Sequence, residues 1–423
     1  MNLNSTQLYL LLVLLLVNLG LSENSAAQEV EVSGFATIGL THSAGDTVSF
    51  RSSLLNKGRE DFSFAPDSVL GLQANVRFSE NLDAVGQIIV QDRTDTNLNN
   101  YVELAFLRYQ INRNWSAKIG RFSTNSYLFT DYRYVGHLLT WARPPVEMYS
   151  TAGSLGNMDG LQTSYIHDVD FGAIKFSLSY GESILHNGGE AGDVRVDYED
   201  FTVFNVEFQA TEWRIHAAYL SAKLDNFVFP DADEFVSAIA LVPSIFKPYA
   251  EQIQFSIIPD GRRVTYASIG GQYTLNDVEF IAELSDYDGD WGLASSARSG
   301  YATASYRIAS LTPYMTLAFY NRGEQPEVID FAAAQAALPS PVYQQLLFLT
   351  ADSNETIRGA SIQQRSISLG MKWDFSDSWS FKAQFDHYRI DSFGSGFFGE
   401  LTALTPSEKF TYNVANISLT TTF

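Results

Sequence analysis

From Phe171 to Tyr180 the chain alternates with period two, with Ile174, Phe176, Leu178 and Tyr180 on one side and Ala173, Lys175, Ser177 and Ser179 on the other. Successive side chains of a β-strand point to opposite faces, so this is the pattern of a strand with one apolar and one polar face. Trp379 to Asp386 repeats it, Trp379, Phe381, Ala383 and Phe385 standing against Ser380, Lys382, Gln384 and Asp386. Val278, Phe280, Ala282 and Leu284 likewise oppose Glu279, Ile281, Glu283 and Ser285. Segments of this kind, about ten residues long, begin near 30, 68, 83, 100, 115, 159, 171, 199, 212, 263, 277, 298, 311, 362, 379 and 409, sixteen in all. Helical periodicity is nearly absent, and short helices are expected only at Asp231 to Leu241 and Val328 to Ala337.

The connections alternate in length. Ser79-Glu80-Asn81, Asn112-Arg113-Asn114, Asn276-Asp277 and Ser376-Asp377-Ser378 are short turns, whereas 41–66, 123–158, 183–198, 223–261, 322–360 and 391–408 read as long loops. An even strand count with short turns at one end and long loops at the other predicts an all-β fold, a transmembrane antiparallel β-barrel of sixteen strands. Closure removes the unpaired strand edges that lipid cannot hydrogen-bond. The polar faces then line a wet interior, where carboxylates such as Glu279 and Glu283 cost far less than in a dry core.

The start of the chain supplies an address. Leu8 to Val17 is an unbroken apolar run followed by Ser25, Ala26 and Ala27; it is too short to span a bilayer and has the form of a secretory signal peptide. The expected division is therefore a leader over 1–27 and a barrel over 28–423. Met1 to Gln7 holds neither Lys nor Arg, which leaves a non-cleaved anchor as the alternative. Beyond Ala27 no apolar run approaches the roughly 18 residues of a membrane helix. A net charge of −21 removes any electrostatic case for nucleic acid. The chain has no Cys, so the fold is held by hydrogen bonds and packing alone.

Tyr412 to Phe423 ends the sequence on Phe, with Ile417 and Leu419 on the same face. It resembles the C-terminal signature by which outer-membrane proteins reach their barrel-assembly machinery, although Thr421 and Ala415 stand where that pattern has larger residues. Val32-Ser33-Gly34-Phe35-Ala36-Thr37-Ile38-Gly39 resembles the first strand of Gram-negative porins. Ile119-Gly120-Arg121-Phe122, followed by Trp141-Ala142-Arg143-Pro144-Pro145 and Tyr149, is similar to the strand and third loop of porin-like proteins. The resemblance implies a homotrimer in the cell outer membrane of a Gram-negative bacterium, in contact with lipid and lipopolysaccharide. It implies a water-filled channel for passive diffusion of small hydrophilic solutes and ions, narrowed by a third loop over 123–158. A substrate-selective channel and a non-conducting structural or adhesion barrel are the alternatives. The Pro-Glu-Phe-Gly-Gly loop tip of some general porins is missing.

The constriction candidates are Arg121, Asp131, Arg133, His137, Arg143 and Glu147. They stand among Tyr127, Phe129, Tyr132, Tyr134, Trp141 and Tyr149, aromatics that need shelter from water; the alternative is an external cap packed on neighbouring loops. Pro144-Pro145 would stiffen the return path. Arg121 shares parity with Ile119, so it reaches the interior only if a bulge at Gly120 shifts the register. Alternation assigns Arg77, Lys118, Lys175, Arg214, His216, Arg307, Lys372 and Lys382 to the wet face, with Glu207, Glu279, Glu283 and Asp386. Such charges either set a field across the pore or pair along the wall. Trp115, Trp213, Trp373 and Trp379 lie beside short turns, as an interfacial girdle requires. Asp286 to Asp290 resembles a calcium loop, but Trp291 and Ala297 replace the Gly and Glu it needs, so no metal is expected. Six His without a His-x-x-x-His pair, and Ser154 without the first Gly of a nucleophile elbow, give no basis for catalysis or a cofactor.

Overall fold

The computed structural model describes residues 29–423 apart from 45–47, 54–55, 94–97, 153–154, 190–191, 229–231, 260, 290–295, 324–338, 360–361, 392–395 and 401–408. The leader expected over 1–27, the helix expected over 328–337 and Ser154 lie outside the described residues. Sixteen long strands follow one another: β1 (Glu29–Ala44), β2 (Val69–Ser79), β3 (Leu82–Gln91), β4 (Val102–Gln110), β5 (Trp115–Ser123), β6 (Asn157–Val169), β7 (Gly172–Gly189), β8 (Gly192–Gln209), β9 (Trp213–Val228), β10 (Arg263–Leu275), β11 (Val278–Asp288), β12 (Ala297–Tyr306), β13 (Leu311–Arg322), β14 (Gln363–Asp374), β15 (Trp379–Ile390) and β16 (Phe410–Thr422). Each pairs antiparallel with its sequence neighbours. β1 also pairs with β16, from Phe35–Thr422 to Ala44–Asn413, and this closes the barrel. The amide of Phe423 and the carbonyl of Gly34 bond at 2.9 Å, the reverse pair at 2.7 Å, carrying the seam to the last residue.

The barrel is apolar outside and polar inside, the reverse of a soluble protein. On the outer face Leu161, Tyr180 and Ile269 are 58%, 56% and 58% exposed, while the inward Ser179, Thr316 and Ser418 are 2% exposed or less. An apolar belt running around the wall has a lipid solvent as its physical rationale. Trp115 packs against Tyr165 and Trp213 stacks on Tyr273, at 4.8 and 4.0 Å between ring centres. Both pairs lie beside short turns, where the girdle was expected.

Two expectations change. The stretch 183–198, read as a loop, is strand up to Gly189 and again from Gly192, so β7 and β8 form a long hairpin. Its alternation was hidden by a register shift between Tyr198 and Phe201, at Asp200 with φ +48°. Val196 and Tyr198 point inward before the bulge, and Phe201 and Val203 point inward after it, so the parity switches within one strand. Helices are more abundant than expected. Besides α1 (Val146–Ala152) and α2 (Ala232–Ala240), the long loops carry α3 (Lys247–Ile257) and α4 (Ser340–Gly359). α2 lies where a helix was expected, whereas α1, α3 and α4 were not foreseen. Ile239, Ala250, Ile253, Tyr343, Leu346 and Leu349 join α2, α3 and α4 in a small core of their own.

Candidate functional site

The segment between β5 and β6 runs inside the barrel. Asn125, with φ +51°, turns it off the end of β5. It then steps across consecutive strands. The carbonyl of Thr124 accepts from Asn205 on β8, that of Asn125 contacts His216 Nε2 on β9, and that of Ser126 accepts from Ser268 on β10. The amide of Leu128 donates to Glu283 on β11 at 2.8 Å. Further on, Trp141 Nε1 donates to Thr303 on β12 and Thr316 on β13 at 2.9 and 3.0 Å. Lys382 on β15 sends its ammonium to the carbonyls of Gly136, Leu139 and Trp141 at 2.5, 2.5 and 2.7 Å. These groups belong to the inward faces of the strands, so the loop fills the interior and is not an external cap.

Apolar packing holds the same side. Tyr127, Leu128, Phe129, Trp141, Met148 and Leu155 of the loop are buried against Phe201, Val203, Leu220, Val264, Tyr266 and Ile281 of the inner wall. Each large side chain so buried is worth about 1.5–3 kcal/mol, so the loop and β8–β13 form one core, which Val85, Phe106 and Phe122 of β3, β4 and β5 join. Trp141 meets Phe129 and Tyr301 edge-on at 5.4 and 5.6 Å, an arrangement aromatic rings favour.

Charged anchors follow the aromatic ones. Arg143 grips Asp67 with two bonds of 2.8 and 2.5 Å and reaches Asp386 at 3.0 Å. Burial opposes its charge, but Asp67 and Asp386 outweigh that and hold its pKa above the ordinary value. Glu147 on α1 is fully buried and accepts from Gln364 at 2.9 Å. Burial raises its pKa from the ordinary 4.5, against the opposing hydrogen bond from Gln364. Pro145 offers its carbonyl to the amide of Tyr149 and so begins α1, which carries Glu147 inward.

No protein-family model matches the sequence, and no curated protein matches it. Solved structures do match. The outer membrane channel DcaP of Acinetobacter baumannii aligns with a TM-score of 0.53 at 10% identity, over 95% of this chain and 99% of that one. Salmonella typhi OmpF, in complex with daunomycin, gives 0.51 at 13% identity over 93% and 97%. An anion-selective porin from Comamonas acidovorans gives 0.50 at 12% identity over 94% and 100%. The chain has the porin fold. At these identities the likeness is one of architecture.

Within this porin barrel the remaining candidates separate into groups. Arg133 is largely buried, pairs with Glu103 and donates to the carbonyl of Thr130 at 2.9 Å. Asp131 stays exposed on the loop edge. The carbonyl of His137 accepts from Lys372 at 2.9 Å, and burial together with that ammonium lowers the pKa of its ring. Arg121 does not join them. Pairing runs unbroken through Gly120 on both sides, so Arg121 keeps the parity of Ile119 on the outer face, where Asp159 clamps it at 2.8 and 2.7 Å. A positive φ of 122° at Gly120 did not shift the register.

On the inner wall, Arg77 pairs with Glu29 at 3.1 Å, Arg108 with Asp83 at 3.0 Å and Arg214 with Glu207 at 3.1 Å. Lys372 pairs with Asp374 at 3.1 Å. Glu279 accepts from Gln272 and Thr140 at 2.5 and 3.1 Å. Lys118 and Lys175 have no salt bridge among the described residues; Lys118 sits 4.9 Å over the Phe106 ring. Arg307 lies one residue beyond β12, exposed in a short turn and off the wall. Sequence reasoning missed Asp67, Glu103 and Arg108. Arg108 was legible, because Leu107 and Tyr109 alternate with it. Asp67 and Glu103 carry no local pattern that marks them as partners of loop arginines.

Proposed function

We propose that the protein is an outer-membrane porin that lets small hydrophilic solutes and ions diffuse through the space between the inserted loop and the inner wall of β1–β7. The observation that carries this reading is the uneven packing of the loop. Most of its core is made with β8–β13, with only Val85, Phe106 and Phe122 joining from β3, β4 and β5, whereas the inward side chains of Gln73, Asn75, Arg77, Arg108, Lys118 and Lys175 remain partly or fully exposed. Selection would then follow from the radius and charge of that gap.

Export by the leader and assembly through the strand ending in Phe423 complete the reading. A homotrimer is supported by the outer face of β16 to β3. It carries Ile417, Leu419, Val32, Ile38, Leu70, Leu72, Ile88 and Val90, exposed aliphatics with few aromatics among them, while strands farther round carry Tyr, Trp and Phe. A smooth aliphatic sector in the girdle suits contact between protomers.

One observation favours a selective channel as the second reading: Lys118 and Lys175 make no salt bridge among the described residues, Glu207 opposite Lys175 being taken by Arg214. In a planar bilayer, the wild type is expected to give stepwise ohmic conductance. Changing both lysines to Glu should move the reversal potential in a salt gradient toward cations. Saturation of the current by one anionic solute would favour the selective channel, and silence from a correctly folded barrel would sink both readings in favour of a structural or adhesion barrel.

A further inference from the structure

At the long-loop end of the outer face, charged residues cap the apolar belt. Two neighbouring strand pairs place opposite charges across from each other there. Glu199 faces Lys223 in register, 3.6 Å apart, and Asp286 faces Arg298 at 2.7 Å. Such cross-strand pairs stabilise a sheet, and like charges directly opposite destabilise it. Between β14 and β15 the rule is broken, because Arg365 stands directly opposite Arg389.

Both arginines are exposed on the outer face. Arg389 leans 3.7 Å from Asp391, and Lys409 reaches the same carboxylate at 3.3 Å. Arg365 has no carboxylate partner among the described residues. Among the described residues, two of these three cations thus share one carboxylate and the third has none, in a chain whose net charge is −21. Below them on the same face come Ile367, Leu369 and Met371 of β14 and, past His387, Phe385 of β15, exposed apolar side chains. The surplus positive charge therefore lies where acyl chains give way to headgroups.

We propose that Arg365, Arg389 and Lys409 hold the phosphomonoester of a membrane-lipid headgroup, the chemistry of lipid A, against the outer wall. A phosphomonoester carries about −1.5 to −2 charges at neutral pH, which matches the local excess. Guanidinium forks bind its oxygens in pairs, and the lipid's chains cover the apolar residues beneath. The bound phosphate relieves the repulsion between the two arginines, so it belongs to the folded wall as a missing counter-charge. The inference rests on the outer-membrane reading above.

The test titrates purified wild type, the double variant Arg365→Gln with Arg389→Gln, and Arg365→Lys with bisphosphorylated lipid A, its dephosphorylated form and inorganic phosphate. Retained lipid is counted by native mass spectrometry. About fivefold is expected per charge removed, hence about 25-fold weaker retention in the double variant. Arg365→Lys should keep most of the binding, and dephosphorylated lipid should bind wild type no better than it binds the double variant. Equal retention by the double variant, or by the dephosphorylated lipid, overturns the proposal. Displacement by equimolar inorganic phosphate reassigns the site to soluble phosphates. Loss of the oligomer with lipid retention unchanged reassigns the pair to a contact between protomers. Bilayer conductance of the same preparations keeps the two readings apart: both proteins should conduct equally, and a silent wild type would sink the channel while the lipid titration is judged alone.

Discussion

Arg143 carries three of the loop's attachments through one planar group, two to Asp67 and one to Asp386, with Phe50 stacked 4.2 Å away. Replacing it by Ala leaves two buried carboxylates without a cation, a loss of about 3–5 kcal/mol. Arg143→Ala should therefore lower the temperature at which the barrel unfolds on a gel and make single-channel currents noisier. Unchanged values for both would remove Arg143 from the loop's anchorage. Glu147 makes a prediction with a sign. Its folded pKa is raised by burial, so its contribution is full below the ordinary carboxylate pKa and is lost as pH rises through the raised one. The loop should be held most firmly in acid and loosen above that range, and Glu147→Gln should abolish the trend in conductance against pH. The sequence marked Arg143 and Glu147 as loop charges. It could not mark Asp67, because a carboxylate 76 positions away becomes a partner only when the barrel brings β2 beside the loop.

At the level of elements, strand parity decided most of what could be read in advance. The lining residues on β2, β5, β7, β9, β11, β14 and β15 follow from alternation alone, because a strand between two solvents writes its faces into every second residue. Parity failed at β8, where a bulge reverses the faces, and the Gly-rich, acidic stretch around Gly188 and Gly192 reads as loop for the same reason that it suits a hairpin tip. The reversal is testable in a chain without native Cys. Glu199→Cys and Val203→Cys, four positions apart, would share a face in an unbroken strand. A water-soluble thiol reagent should label the first and spare the second, which is fully buried. Equal labelling would argue against the bulge. The helices α3 and α4 were illegible because their apolar positions pack on each other and on α2, apart from the barrel's own core.

For the whole molecule, closure and orientation go together. A protease site inserted between Gly189 and Gly192 should be cut in intact cells, and one placed in Ser376 to Ser378 should be protected until the envelope is opened. The reverse pattern would invert the assigned topology. The even strand count and the alternating connections were readable, since each hairpin declares its own turn. The filling of the interior was legible only as a loop too aromatic to sit in water. The inserted loop also bears on biogenesis. Asp67 and Glu103 precede its apolar seat on β8–β13 in the chain, whereas its other polar fasteners Gln364, Lys382, Gln384 and Asp386 follow it on β14 and β15. Asn416 on β16, which steadies Asp67 at 2.8 Å, arrives with the seam itself. The strands that shut the cylinder thus also complete the bolting of its contents, so a stalled, open intermediate carries a seated but only partly fastened loop. Completion of the wall and commissioning of the channel are one event.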